Sequence, residues 1–374
     1  MPTGRLLVAG DEYYATLAAV RGLRAAGYEP WLATTTDRSL AALSRATAGT
    51  TRVPHPSTGA DTFVDAMRRI AAEQRADAIL PGTEPALAAL AGRDLGVPTG
   101  APTPASVARA TDKDELGKLA SAAGLASPDS LRVTLPLVEL PHVKLPAIVK
   151  PARSTVEEAG RTVDLPAAAR VETEAELASV LAGSPAGEYL VQPFLEGGLG
   201  ALAGVAWRGE VVCLSQQTAT RIYPPGAGAS AFAQTVPIDP ALAEAAGRLL
   251  AALEWSGLWE LQFIAGADGP RLIDFNPRFY GSLALAIGAG LNLPAIWADL
   301  LLGREPRIGR YRPGVHYRAE ARDARVLAAA VRSRDLRGAL AVVRPRRSTV
   351  HAVFSLRDPR PFAAVAGRLR GSEA

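Results

Sequence analysis

One cysteine, Cys213, in 374 residues excludes an internal disulfide and a cysteine-based zinc site. The four histidines, at 55, 142, 316 and 351, show no metal-ligand spacing. Aromatics are only 6% of the chain, so the core must be built mostly of Ala, Leu and Val. No apolar run approaches the roughly 20 residues that a membrane span needs. Met1–Gly10 carries one Arg and a short apolar run ending at Gly10-Asp11-Glu12, a poor signal peptide and a good buried first strand. That first turn is not Gly-x-Gly-x-x-Gly, and its acids would repel a pyrophosphate, which argues against a dinucleotide site. No Ser/His/Asp triad or cysteine nucleophile suggests hydrolysis. These absences lead us to expect a cytoplasmic protein with no membrane partner.

Acids thin out toward the C-terminus. From residue 304 onward there are 17 Arg, no Lys and six acids, a net of +11, whereas the rest sets 24 Lys and Arg against 31 acids, a net of −7. A basic tail can mark nucleic-acid binding. No aromatic-basic interleaving or DNA-binding motif accompanies it, so no nucleic-acid partner is expected. A tail that packs on an acidic body, or steers an anionic substrate, is the expectation. Homodimerisation through it stays open.

With 48% hydrophobic and 21% charged residues, the chain can bury a sizeable core in two or three subdomains. Its most informative stretch is 257–282. Two apolar-polar alternating runs joined by a turn at Gly266–Pro270 predict a β-hairpin. Alternation puts Glu260, Gln262 and Ile264 on one face of its first strand. It puts Leu272, Asp274 and Asn276 on one face of the second, with Ile273 and Phe275 opposite. Gln262, Asp274 and Asn276 can then meet. Three oxygen-bearing side chains, one charged, suit a hard cation such as Mg²⁺ that shares a nucleotide's phosphates. They equally suit a solvated surface hairpin. Arg278 follows as a fixed cation able to hold a phosphoryl oxygen. Pro277 stops the ladder, and Gly281-Ser282 opens a helix over Leu283–Ala289.

Asp-Phe-Asn-Pro-Arg-Phe-Tyr-Gly-Ser at 274–282 resembles the Glu-hydrophobic-Asn-Pro-Arg motif of the ATP-grasp superfamily. Gln262 is similar to the ligand position of the carbamoyl-phosphate synthase large subunit and its relatives. The resemblance implies that Gln262, Asp274 and Asn276 bind Mg²⁺ (or Mn²⁺) between the phosphates of ATP, and that Arg278 stabilises the transferring phosphoryl group. Asp274 stands where the family usually has Glu; one methylene shorter, it reaches one ion more readily than it bridges two.

Earlier in the chain, strand and helix patterns alternate. A strand over Arg5–Gly10 precedes a helix with Leu17, Val20 and Leu23 on one face. Further strands at Pro30–Thr34 and Ala78–Leu80 bracket a helix at 61–75. This βαβ order implies an open parallel sheet with a crevice at its strand C-termini, where Gly10, Asp11, Thr83 and Glu84 lie. Residues 97–112 read as a boundary, and a helix Lys113–Ala123 follows. An apolar strand, Leu145–Pro151, ends in Lys150-Pro151. A buried lysine needs an anionic partner, and the resemblance makes it a nucleotide phosphate for Lys150 and Lys113. The family's lid beyond it is Gly-rich; here 152–160 holds one Gly, so Arg153, Ser154 or Thr155 would stand in. Thr173–Leu181 predicts a helix with a capping box at Thr173 and Glu176.

Glu188–Gly198, a strand meeting Pro193 and then glycines, resembles the family's adenine hinge. There Gln192, Pro193, Phe194 and Leu195 would contact the base. Val211–Gln216 reads as a strand, and Thr220–Ser230 as a Gly/Pro loop whose Arg221 would help hold phosphate or carboxylate. Pro240–Leu253 is an amphipathic helix. In the tail, Pro359–Arg370 reads as helix and Val350–Leu356 as an edge strand.

The implied architecture is α/β and α+β: an open parallel α/β domain (1–105), an N-terminal ATP-grasp subdomain with a small lid (106–190), a C-terminal subdomain with the metal hairpin (191–305) and a basic extension (306–374). The resemblance implies an ADP-forming ligase that joins small-molecule carboxylate and amine substrates through an acyl phosphate. Carboxy-phosphate chemistry, as in carboxylases, and a non-catalytic ATP-binding protein are the competing readings.

Overall fold

The computed structural model describes residues 3–371 except 12, 138, 154, 159–160, 165–167 and 227, with backbone alone for 155–158, 161–164 and 368–371. Three main sheets organise it. The first is parallel, in the spatial order Gly49–Arg52, Tyr28–Thr34, Gly4–Ala9, Ala78–Pro81. Its inner strands are continuous apolar runs, with Leu6, Leu7, Val8 and Ala9 fully buried, as expected of a sheet covered on both faces. The order of strands reverses between Gly4–Ala9 and Ala78–Pro81, so a crevice opens beyond Gly10 and Thr83. Gly10 takes φ +85°, and a Cβ there would lie 2.6 Å from Thr83 Oγ1, so this turn admits only glycine.

The second sheet is antiparallel: Leu131–Leu135, Gly187–Pro193, Ala147–Pro151, Ala169–Val171, backed by the helix Glu174–Ala182. Thr173 caps that helix by accepting from Glu176 N, and the Glu176 carboxylate returns to Glu172 N, one residue before the cap. The boundary expected at 190 runs through the strand Gly187–Pro193. The stretch 97–112 carries its own helix, Pro104–Thr111, which Thr103 caps and Pro104 starts. Part of the lid stretch forms a two-stranded ribbon, Thr155–Glu158 with Arg161–Asp164; Ser154 and the Thr155 side chain lie outside the described residues.

The third sheet has seven strands: Gly269–Asn276, Gly257–Gly266, Gly198–Trp207, Glu210–Tyr223, Ala229–Val236, His316–Arg318 and Thr349–His351. The helices Lys113–Ala122 and Pro240–Ala252 cover one face around Trp255 and Trp259. The first domain packs with the helix Leu293–Leu301 on the other side, around Trp297 and Phe279.

The tail is thus part of the large sheet, contributing its last two strands. The expected edge strand at 350–356 is Thr349–His351, parallel to its neighbour. Two of its few acids help to fasten the tail. Asp358 accepts from Arg21, Ser44 and Arg45 N of the first domain, and Asp323 is shared by Arg221 and Arg318.

Candidate active site

The hairpin forms with its turn at Ala267-Asp268, and its register sets Gln262 opposite Asp274 and Glu260 opposite Asn276. The register slips between Gln262 and Phe263, so one extra residue, Ile273, bulges. Leu272 therefore lies in the core against Phe263 rather than beside Asp274, correcting the simple alternation. The bulge also turns the Ile273 carbonyl to accept from Lys150 Nζ at 2.7 Å.

Glu260 underlies the clasp. It is 2% exposed, and its Oε2 accepts from Asn276 Nδ2 at 2.8 Å and Gln262 Nε2 at 3.1 Å. Burial pushes its carboxyl up to about 7, against the opposing pull of Asn276, Arg278 and Gln262. The sequence placed Glu260 on this face but gave it no role. Its clue was an acid amid Leu258, Trp259 and Leu261, where burial must be compensated. With both amide nitrogens committed to Glu260, the donors left to a cation are two amide oxygens and the Asp274 carboxylate. That all-oxygen set with one charge fits Mg²⁺. Among the described residues no group of three His, Cys, Asp or Glu could serve a softer metal.

Lys150 extends from the facing antiparallel sheet and is 8% exposed. Burial lowers its ammonium to about 8; Asp274 opposes that shift and Lys113 adds to it. Between the two sheets lies a cavity of about 410 Å³. Lys113, Lys150, Gln192, Pro193, Phe194, Leu195, Gln262 and Asp274 all line it, so the structure gathers eight of the eleven expected site residues around one space. Within it, the Gln192 amide donates to Ser130 Oγ at 2.6 Å, and Phe194 N donates to Pro146 O at 2.9 Å. The guanidinium of Arg170 stands 3.9 Å above the Phe194 ring, so that face already carries a cation rather than lying bare for a base.

The other three lie differently. Asn276 is 9% exposed and pairs with Glu260 beneath the clasp. Arg278 is half-buried on the exit loop, its Nη1 donating to Phe279 O at 2.8 Å. Arg221 is a correction. It sits inside the strand Glu210–Tyr223, not in a loop, and its guanidinium binds both Asp323 oxygens at 2.8 and 2.9 Å while stacking on Phe232. Its neighbour Ile222 takes the cavity side. Arg221→Ala should therefore cost stability, roughly 2 kcal/mol in urea unfolding, less than a fully orphaned buried charge because Arg318 remains on Asp323. ADP affinity should stay within twofold; a larger loss would return Arg221 to the site. Arg153, expected in the lid, pairs with Asp112, the cap of the helix Lys113–Ala122. In the first-domain crevice, burial pushes the Asp11 carboxyl up, with the hydroxyls of Ser39 and Thr16 opposing.

A family model described as "ATP-grasp in the biosynthetic pathway with Ter operon" matches residues 187–322. Among solved structures, an L-amino acid ligase from Bacillus licheniformis is 17% identical with a TM-score of 0.65, over 84% of this chain and 79% of that one. An N5-carboxyaminoimidazole ribonucleotide synthetase in complex with ADP is 13% identical with a TM-score of 0.64, over 84% and 81%. A biotin carboxylase from Campylobacter jejuni is 14% identical with a TM-score of 0.60, over 84% and 74%. No curated protein matches the chain by sequence. At these identities the likeness to the solved structures is one of fold.

Proposed function

We propose that this ATP-grasp protein is an ATP- and magnesium-dependent ligase that joins the carboxylate of one small molecule, an amino acid or peptide, to the amine of another. The observation that carries the reading is the convergence of three separate segments, the 257–276 hairpin, Lys150 and the 192–195 crossing, on one cavity. That volume is in the range of small-molecule sites. Its lining combines cationic Lys150 and Lys113 and the oxygen donors Gln262 and Asp274 with Pro193, Phe194 and Leu195, a set that suits a triphosphate and a base.

In the first step the substrate carboxylate oxygen bonds to the γ-phosphorus of ATP, and the bond from that phosphorus to the β-phosphate oxygen breaks, giving acyl phosphate and ADP. In the second the amine nitrogen bonds to the acyl carbon, the carbon–oxygen bond to phosphate breaks, and the amine proton leaves with phosphate or solvent. Gln262, Asp274 and Asn276 would hold Mg²⁺, which when bound offsets charge on the phosphates. Lys150 holds a phosphate oxygen, Arg278 is placed to meet the transferring phosphoryl group, and Pro193 and Leu195 offer a backbone carbonyl and amide to a base edge. No group need make a covalent bond to the substrate, so positioning and charge complementarity supply the rate.

The test is ADP release by the purified protein against paired carboxylates and amines. Release that needs both partners, with one phosphate per amide, supports ligation. Release driven by bicarbonate would replace it with carboxy-phosphate chemistry, and ADP binding without turnover would leave a nucleotide sensor.

Arg322 of the tail bears on the substrates. It lies where the first domain meets the hairpin's exit, its guanidinium 5.3 Å from the Tyr14 ring and its Nη1 donating to Ser230 O at 3.3 Å. Among the described residues no carboxylate neutralises it, in contrast to Arg221 and Arg318. It is suited to the free carboxylate of an amino-acid substrate. Arg322→Ala should raise KM for that substrate about tenfold or more, the worth of a charged hydrogen bond, with the ADP dissociation constant unchanged. An unaltered KM would remove Arg322 from the substrate site.

A further inference from the structure

Within the ligase reading, on which this inference rests, one buried acid has no chemical step assigned to it. Glu260 reaches neither nucleotide nor phosphate in that scheme. Yet it sits where the hairpin register makes it cross-strand to Asn276 and two residues from Gln262 on the same face. Both amides donate to the same oxygen, Oε2, at 2.8 and 3.1 Å. One oxygen, Oε2, accepts both hydrogen bonds, so each amide presents its NH₂ group to Glu260. A primary amide is planar, with nitrogen and oxygen on opposite arms. Committing the nitrogen to Glu260 fixes the oxygen on the arm that points away from it.

Without such an anchor the two amides would be undirected. Gln and Asn can rotate their terminal amide by half a turn at little cost, and a flipped amide would offer N–H hydrogens to a cation it should be coordinating. Two neutral ligands that can each present the wrong end make a poor site for a hard ion, which selects oxygen. A carboxylate at 2% exposure is a costly way to fill space, and an apolar residue would pack there without that cost. The cost is rational when the acid orients something.

We infer that Glu260 is a positioning residue for the metal clasp: it holds the amides of Gln262 and Asn276 in the one orientation that turns both carbonyl oxygens to a divalent cation. The site so formed is one anionic and two neutral oxygen donors, with the second anion held beneath as an orienter rather than as a ligand. Outer-shell partners of this kind are commonly worth 10- to 100-fold in metal affinity, on the order of one to two decades.

Two substitutions separate position from charge. Glu260→Asp keeps the charge but withdraws the acceptor oxygen by a methylene, so it cannot reach both amides. Glu260→Gln loses the charge but keeps an acceptor carbonyl at the same reach. Binding of Mn²⁺ to the full-length protein in the presence of ADP is read by the electron paramagnetic resonance of free Mn²⁺, and ADP binding is read separately in chelator. For Glu260→Asp we expect Mn²⁺ affinity to fall about tenfold or more. For Glu260→Gln it should stay within about threefold of wild type. Metal-free ADP affinity should hold within about twofold in both, a split that a general loss of structure would not give. The reverse order, with Gln the weaker binder, would overturn the inference by making Glu260 a direct ligand or a plain source of charge. Wild-type affinity in both variants would overturn it by leaving Glu260 without a role at the metal. Should the wild-type protein bind ADP but no Mn²⁺, the clasp and this inference both fall; binding with only the variants' order reversed removes the inference and leaves the ligase reading standing.

Discussion

Asp274→Ala is expected to remove magnesium-dependent ATP turnover, by about 10³-fold or more, while the protein stays folded. Asp274 is the one charged donor that the hairpin offers to a cation beside the cavity; Gln262, opposite it in the register and also on the cavity wall, and Asn276, beneath the clasp, are neutral amides. Losing it removes most of the electrostatic attraction for Mg²⁺, and a 10³-fold loss corresponds to about 4 kcal/mol of transition-state stabilisation. The fold should tolerate the change because Asp274 is half-buried at a cavity wall rather than part of the Trp255–Phe275 core. Metal-free ADP binding should be preserved or slightly tighter, since an anion is removed from beside the phosphates and from beside Lys150. The measurements are ADP release in saturating Mg²⁺ and ADP affinity in chelator. Turnover within a few-fold of wild type would mean that the metal, if used, is held elsewhere. Asp274→Glu, which restores the residue usual in the resembled motif, should retain turnover and distinguishes the loss of a ligand from the loss of shape.

The parts of this site that could be read from sequence are those set by strand period and by proline and glycine. A two-residue period put Glu260 and Gln262 on one face, and the structure keeps them there. Lys150-Pro151 at the end of an apolar run marked a lysine whose head needed a partner, and it finds the Ile273 carbonyl and the Asp274 charge. Gln192-Pro193 followed by glycines marked a crossing between sheets. What escaped is what period cannot carry. A bulge at Ile273 changes which residues share a face, and no residue type there announces it. Arg221 looked like a loop cation because Pro224, Pro225 and two glycines follow it. Its fate was decided by Asp323, 102 residues later, which no local pattern links to it. The tail's arginines drew attention by number, yet its acids Asp358 and Asp323 also fasten it, since a buried acid must find its cations. Glu260 was visible as a residue and invisible as a device, because its role depends on two amides being brought to one oxygen.

Lys150→Met should weaken ADP binding about 10²-fold near neutral pH, close to 3 kcal/mol, by removing the one cation that reaches the cavity from inside a strand. Methionine matches the stem's length and apolar contacts, so the loss isolates the ammonium. The pH dependence gives a sharper signature. In the free protein, burial lowers the Lys150 ammonium to about 8. A bound phosphate favours the charged form and raises that value in the complex. The sign follows: below about pH 8 the ammonium is already present and wild-type affinity is flat, whereas above it binding must take up a proton and affinity falls by up to about tenfold per pH unit. The Met variant carries no such proton and should show no fall over the same interval, so the two curves should approach one another between about pH 8 and about pH 9.5. ADP is the probe, in chelator, so that metal binding does not enter. The free diphosphate has lost its last proton by pH 8 and contributes no slope of its own in that window. Parallel curves for wild type and variant would mean that Lys150 does not meet the phosphates, and the cavity between the sheets would then lack the cation that makes it a nucleotide site. Convergence would tie the titration to that ammonium and place the phosphates at the end of the strand Ala147–Pro151, opposite Asp274, where the metal clasp is required to be.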